Sequence, residues 1–321
     1  MNKAVIPNDF DLPKPTTEQI KKAIEHSGYL LEQRICPIIE RHGFLTTPNE
    51  QYQDQDTGKS REIDVHAIKL NSLYRNEFTD IFETILLIEC KNNQTPVVFF
   101  TQENPIPELV FGYIDLDGYP DGIYEKESES EGVTSIEDYF HFEKFHHYFK
   151  VKWIARQFCQ MRPRIIAKGN RNQKIEWEVS HEGLYESIEG LIKATDFYSS
   201  ELKRSIVLEE DTKDFIHLGI VYPILLFSGQ IFECRVKGRN YRIYERKHLT
   251  FYKEIQSKTL QGTYHIDVVQ ENYLSRFLSI VNEENDKIVN RLKRKRDLLK
   301  ANVERNFEEE KKNTDTSANN R

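Results

Sequence analysis

Three short pieces of the chain hold the residue types that hydrolysis of a phosphate ester requires. They are Tyr29-Leu-Leu-Glu32, Arg61-Glu-Ile-Asp64-Val65 and Ile85-Leu-Leu-Ile-Glu89-Cys90-Lys91. On a strand the side chains alternate, so Glu89 and Lys91 project from one face behind Leu87 and Ile85, and Leu86, Ile88 and Cys90 take the other. Charges at the edge of a core are costly unless they are paired or hold a cation. In the second piece Ile63, Val65 and Ala67 make one face and Glu62, Asp64 and His66 the opposite one. If the two strands are neighbours, Asp64 and Glu89 converge. With the Cys90 backbone carbonyl they make a hard oxygen site suited to Mg²⁺ or Mn²⁺. Such an ion stabilises charge on a phosphate and acidifies a bound water, and Lys91 beside it would steady that water or the developing charge. Glu32 shares a helix face with Ile35 and Ile39, which places a carboxylate in an apolar stripe as a metal-supporting acid. Glu-x-Lys by itself says little, because it occurs five times in the chain; only Glu89 ends an apolar run and follows an Asp on a hairpin.

Several elements must hold these groups in place. Thr16-Thr17-Glu18 opens a helical pattern with Ile20, Ala23 and Ile24 on one face. A second helix is expected from Tyr29 to about His42, stopped by Gly43 and kinked or restarted at Pro37. Residues 50–56 and 61–69 read as the arms of a hairpin around Asp-Thr-Gly-Lys, followed by strands at 85–91 and 96–101. A helix is expected at about 145–161 and another at 182–198. Strands follow at 216–227 and 230–236, paired around Ser228-Gly229, and then at 249–256 and 264–270, before a helix from Tyr273.

The order of helical Glu32, Asp64 on a hairpin strand and Glu89-x-Lys91 on the next, 25 residues on, resembles the PD-(D/E)XK, or restriction-endonuclease-like, nucleases. The likeness covers roughly residues 16–101, with weaker support to about 165, and departs in having Ile63 where the family's name has Pro. It implies an α/β core with a mixed sheet flanked by helices and an endonuclease that needs Mg²⁺ or Mn²⁺ and cleaves nucleic acid, usually DNA. Restriction or phage defence is the setting it suggests. By that match Asp64 and Glu89 are metal ligands with the Cys90 carbonyl, Lys91 is the catalytic lysine and Glu32 an accessory acid or further ligand. The expected organisation is an arm at 1–15, a nuclease-like domain at 16–282 with an acidic insertion at about 101–143, and a charged helical to disordered tail at 283–321.

Composition constrains the partners. The chain has 321 residues, 45 basic and 52 acidic, for a net charge of −7. Taken whole, that balance argues against nucleic acid. The charges are segregated, however: residues 101–143 hold twelve acids and one base, and residues 144–175 hold nine bases and no acid. Lys150, Lys152, Arg156, Arg162, Arg164, Lys168 and Arg171 in the basic run are candidate phosphate contacts, with Phe145, Tyr148, Phe149, Trp153 and Phe158 interleaved as candidate base contacts. His146-His147 reads as structural, since adjacent helical residues point apart. The four cysteines are widely spaced, so neither a zinc ribbon nor a disulfide scaffold is expected. No leader pattern and no apolar run near the ~18 residues of a membrane span is present, so a cytoplasmic protein without membrane contact is expected. Two rival readings stay open: a nuclease-fold DNA-binding module without cleavage, and an interaction protein that forms a homodimer or docks a partner through the acidic insertion or the C-terminal helix.

Overall fold

The computed structural model describes residues 14–25, 27–74, 77–93, 95–103, 123–124, 133–168, 172–180, 183–207, 216–257, 260–302 and 305. Helix α1 is Thr17–Glu25 and α2 is Tyr29–Glu40; strands β1 (Leu45–Gln53), β2 (Ser60–Tyr74), β3 (Glu77–Lys91) and β4 (Val97–Glu103) follow. Next come short strands β5 (Ile123–Tyr124) and β6 (Val133–Thr134), helix α3 (Ile136–Tyr139) and two 3₁₀ turns, Phe142–Lys144 and His147–Lys150. The chain continues with β7 (Trp153–Lys168), β8 (Asn172–Ser180), α4 (Leu184–Val207), β9 (His217–Phe227), β10 (Ile231–Lys237), β11 (Asn240–Arg246), β12 (His248–Gln256), β13 (Gln261–Gln270) and α5 (Leu274–Arg294).

Eleven strands form one mixed sheet in the order β1-β2-β3-β9-β13-β12-β7-β4-β10-β11, with β8 beside β7. The antiparallel meander β1–β2–β3 has the expected hairpin, from Gln53↔Ser60 upward. β9 lies parallel to β3 over eleven pairs, from Ile81↔His217 to Lys91↔Phe227. A parallel neighbour requires a crossover, and α4 lies within it, with Leu191, Ile192 and Ala194 buried. The sheet separates two cores. One contains α2, α5 and residues 136–154 against Val65, Leu86, Ile88 and Tyr222; the other contains α4 against Ile85, Leu87, Phe99 and Leu225. β3 is therefore apolar on both faces, as its unbroken Ile-Leu-Leu-Ile run requires.

Local signals explain the helix ends. Thr16 and Gln19 form a reciprocal capping box, with Gln19 N–H on Thr16 Oγ1 at 3.2 Å and Thr16 N–H on Gln19 Oε1 at 2.8 Å. The apolar face of α1 is nonetheless not covered, and Ile20 and Ile24 are exposed. α2 runs through Pro37 without a restart and ends before Gly43, whose φ of +86° favours glycine.

Three expectations are corrected. Residues 145–161 are not a helix: they hold a 3₁₀ turn and the first half of β7. The helical period was imitated by a bulge, because Thr101 pairs with Ala155 and Phe100 with Gln157, leaving Arg156 as an extra residue. The bulge shifts the alternation, so Ile154, Ala155, Phe158 and Cys159 are all buried. Strands β9 and β10 do not pair around Ser228-Gly229; β9 joins β3 and β13, and β10 joins β4 and β11. Gly229 lies so close to the Asn93 carbonyl that a Cβ would meet it at 2.1 Å, and the chain crosses there between sheet halves instead of turning back. Finally, position 283 is not a boundary: α5 passes through it with Val281, Ile288, Val289 and Leu292 buried, and Leu299 is buried beyond it. Most of residues 1–15, the stretches 104–122 and 125–132 of the acidic insertion, and the end of the chain from 306 lie outside the described residues.

The turn between β1 and β2 is tied to α4 by a buried charge. Asp54 has no exposed surface; its Oδ1 accepts the Asp56 and Thr57 N–H groups, and its Oδ2 meets Arg61 Nε at 2.5 Å and Lys193 Nζ at 3.2 Å. Burial alone would raise its pKa, but the hydrogen bonds from Arg61 and Lys193 and those from the turn outweigh it and hold the carboxyl at about 2. A depressed carboxylate stabilises the fold above its ordinary pKa and ceases to do so as pH falls through the folded value. Asp54→Asn should therefore cost about 3 kcal/mol in urea unfolding at pH 7, with the difference from wild type closing as pH drops from 4 towards 2; a constant difference across that range would contradict the assignment.

Candidate active site at the β2–β3 edge

The backbone pairing of β2 with β3 ends at Val65↔Ile88. One step further along the same register Asp64 stands opposite Glu89, on the face shared by His66, Leu87, Ile68 and Ile85. The Asp64 carboxylate accepts the Cys90 N–H on Oδ2 at 2.6 Å, which fixes its orientation. Glu89 Oε1 and Lys91 Nζ pair at 3.0 Å with both side chains partly exposed. The Cys90 thiol points to the opposite face, into the core of α2, and only its backbone is at this edge. Asp64 and the Glu89–Lys91 pair thus stand at the same edge of the sheet.

Glu32 joins them from α2. It is 6% exposed, and burial raises its pKa, reinforced by the charges of Glu62 and Glu89 and opposed by Lys91. Asp64 responds more strongly. Burial, then the charge of Glu89, pushes it up to about 7, with Glu32 adding to the rise and the Cys90 N–H and Lys91 opposing it. Three carboxylates thus share one low-dielectric edge with one lysine, an arrangement a cation would relieve. Glu62, which also holds the Gln51 amide at 2.7 Å, is an additional acid of this neighbourhood that the sequence reading placed on the right face without a role.

The loop beyond Lys91 is anchored. Lys91 O accepts the Ser228 N–H at 3.1 Å, and the Asn92 side-chain amide donates to Glu25 O and Ser27 O, each at 3.0 Å. These bonds fasten the end of β3 to β9 on one side and to the α1–α2 junction on the other, just before Glu32.

The basic run is four strand spacings away, roughly 19 Å of sheet. Its described side chains are mostly engaged: Lys152 pairs with Glu103, Arg162 and Arg164 share Glu178 of β8, and Arg156 stacks over Tyr252 at 4.6 Å. Lys150 closes the second 3₁₀ turn, and the Lys168 and Arg171 side chains lie outside the described residues. The interleaved aromatics mostly serve the cores: Phe145, Tyr148 and Phe158 are buried, Phe149 packs against one core, and Trp153 stacks on Arg235. The exposed apolar side chains of this arm are Ile165, Ile175, Trp177 and Val179, all on one face of β7–β8.

Among the described residues, two trios of donors lie within 4.8 Å of one another: His146, His147 and Glu284, and His147, His248 and Asp267. Glu32, Asp64 and Glu89 do not form a third. The sequence alone reads His146-His147 as structural and gives His248 no role. The signal that could have found them is Asp267, a carboxylate inside the buried run Ile266-Asp-Val-Val269. None of the described helices is long and apolar enough to cross a membrane.

The repulsion at the β2–β3 edge is measurable without any ligand. Since Asp64 sits above its ordinary 3.8, the folded chain holds a proton that the unfolded chain releases between that value and about 7, so stability falls as pH rises through this window. Asp64→Asn keeps an acceptor for Cys90 and removes the charge. It should be more stable than wild type by at least about 1 kcal/mol at pH 8, and the gain should vanish towards pH 4; equal urea midpoints at pH 8 would show that the carboxylates do not repel. Compared with protein-family models, with curated proteins and with solved structures, the chain matches none.

Proposed function

We propose that the chain is a divalent-metal-dependent nuclease of the restriction-endonuclease-like kind, hydrolysing phosphodiester bonds of nucleic acid, DNA before RNA, at the open edge of β2 and β3. The observation that carries the reading is the meeting of Asp64 and Glu89-x-Lys91 across adjacent strands where their backbone pairing ends, with Glu32 brought alongside by the preceding helix. The donors fit a hard cation. All are oxygens, they repel one another, and Asp64 is already oriented by Cys90. Asp64 and Glu89 would hold Mg²⁺ or Mn²⁺, with the Cys90 carbonyl completing the protein ligands.

When bound, such an ion neutralises phosphate charge and makes a water easier to deprotonate. The remaining work falls to the chain. Lys91 supplies a cation at the strand end, placed to hold the attacking water in line and to stabilise charge gathering on the phosphate oxygens. Glu32, whose pKa burial raises, would position a water at the inner side of the site. Catalysis would require Lys91 to exchange its Glu89 partner for substrate.

A second reading, a nuclease-fold module that binds without cutting, draws support from the Glu89–Lys91 ion pair and from the absence of a tight carboxylate trio among the described residues. Cleavage assays separate the two. Plasmid, single-stranded DNA and RNA are incubated with Mg²⁺ or Mn²⁺ and wild-type, Asp64→Ala or Lys91→Ala protein. Each substitution should reduce metal-dependent cleavage by about 100-fold or more with circular dichroism unchanged. Cleavage that survives both substitutions rejects the site, and binding without turnover by the wild type favours the second reading.

A further inference from the structure

A dense group of buried titratable side chains lies on the other face of the sheet from Glu89 and Lys91. Four elements meet there. His147 comes from the second 3₁₀ turn, His248 from the start of β12, Asp267 from the middle of β13, and Glu284 from α5. Asp267 is fully buried and has three partners: His147 Nε2 at 3.2 Å from each oxygen, His248 Nε2 at 2.8 Å and Tyr148 OH at 2.7 Å. Glu284 accepts the His147 backbone N–H at 2.8 Å and lies 2.7 Å from its Nδ1.

As a purely protonic network this is expensive. Two carboxylates and an imidazolium leave water, and apolar side chains of similar volume would hold the elements together at least as well. The geometry has another use. His147 Nε2, His248 Nε2 and an Asp267 oxygen all lie within 4.8 Å of one another. Donors arranged tetrahedrally ~2.0–2.1 Å from one ion sit roughly 3.3 Å apart, close to the 2.8 and 3.2 Å spacings found here. The outer contacts also suit a metal. Glu284 orients His147 through Nδ1, and Tyr148 OH steadies the second oxygen of Asp267, as carboxylate and hydroxyl groups do around liganding His and Asp.

An independent observation points to the same place. Thr250 stands directly opposite Asp267 in the β12–β13 ladder, is 2% exposed, and its Oγ1 has no hydrogen-bond partner among the described residues. A water in the fourth position of an ion at this site would supply that partner. The His248 side chain, about one-fifth exposed, provides the route in.

We propose that His147, His248 and Asp267 bind one Zn²⁺, with Glu284 and Tyr148 as orienting groups, at a site that joins residues 136–151 to β12, β13 and α5. Binding needs both Nε2 atoms free of protons: His147 gives its Nε2 proton to solvent and keeps the Nδ1 proton facing Glu284, and His248 binds as its Nδ1–H tautomer. Imidazole with carboxylate selects a borderline ion such as Zn²⁺ or Co²⁺ over Mg²⁺, so this site is chemically distinct from the all-oxygen edge at Asp64.

The test uses the full chain carrying Asp64→Ala, which leaves this cluster intact and removes the other candidate metal site. After EDTA dialysis, Co²⁺ should bind one per chain with the strong visible bands of a tetrahedral complex, and Zn²⁺ should displace it. At a hundredfold excess over Kd, Zn²⁺ should raise Tm by about 5 °C. His248→Gln, which retains a side-chain partner for Asp267, should stay folded by circular dichroism and lose the bands. Glu284→Gln should bind about 10- to 100-fold more weakly. A folded Asp64→Ala chain that binds no Co²⁺ or Zn²⁺ overturns the site, as does unchanged binding by His248→Gln. Because nuclease activity is not read, failure here and failure of the proposed function are separate results.

Discussion

The parallel pairing of β3 with β9 carries the architecture. These eleven residue pairs join segments that are more than a hundred residues apart in the chain. Each strand is covered on both faces, so the pair excludes water from its hydrogen bonds and favours apolar or partnered side chains along it, the buried Thr84 hydroxyl, without a partner among the described residues, being an exception. The α4 crossover on one face and α2 with α5 on the other are the covers that this demands. A strand that is apolar throughout has only its end for polar chemistry, and Glu89 and Lys91 occupy that end, where β2 leaves the ladder and Asp64 takes the Cys90 N–H.

Both faces of the sheet hold carboxylates that the core would reject if they stood alone, and they are accommodated in opposite ways. At the β2–β3 edge three acids crowd one lysine, and the result is protonation pressure on Asp64. Around Asp267 donors outnumber acids. Burial opposes the charge, but His147, then His248, drive its pKa far below the usual carboxylate range. His147, despite its own burial, is held at about 10 by Asp267 and Glu284. The first arrangement is short of positive charge and open at its rim; the second is satisfied and almost closed. This contrast in electrostatic balance separates the two clusters, one left with unrelieved repulsion and the other with each acid facing donors.

The basic stretch shows how one irregularity redirects an inference. Its excess of Lys and Arg is real, but the Arg156 bulge and the β8 partner strand turn a presumed helical face into a ribbon whose arginines meet Glu178. Its aromatics fill the cores on either side of the sheet. What remains exposed there is an apolar stripe from Ile165 to Trp177 alongside paired charges.

Short-range information in the chain was enough for the local elements that carry the candidate site: the Asp-Thr-Gly-Lys hairpin, the apolar run ending in Glu89-x-Lys91, the Glu32 stripe and the Gly43 stop depend on alternation, turn preference and helix period, which neighbouring residues set among themselves. The same reading failed at residues 145–161, because a one-residue bulge converts strand alternation into an apparent helical repeat, and at Ser228-Gly229, because a turn signal does not say which strand receives the next one. Tertiary structure alone decided the parallel β3–β9 register, the continuity of α5 past residue 283 and the meeting of His147, His248, Asp267 and Glu284. Those residues come from four elements over 138 positions of sequence, and nothing local links them. They meet because each lies at a mostly apolar core, and a buried polar group must find its partners wherever the packing of the surrounding elements brings them.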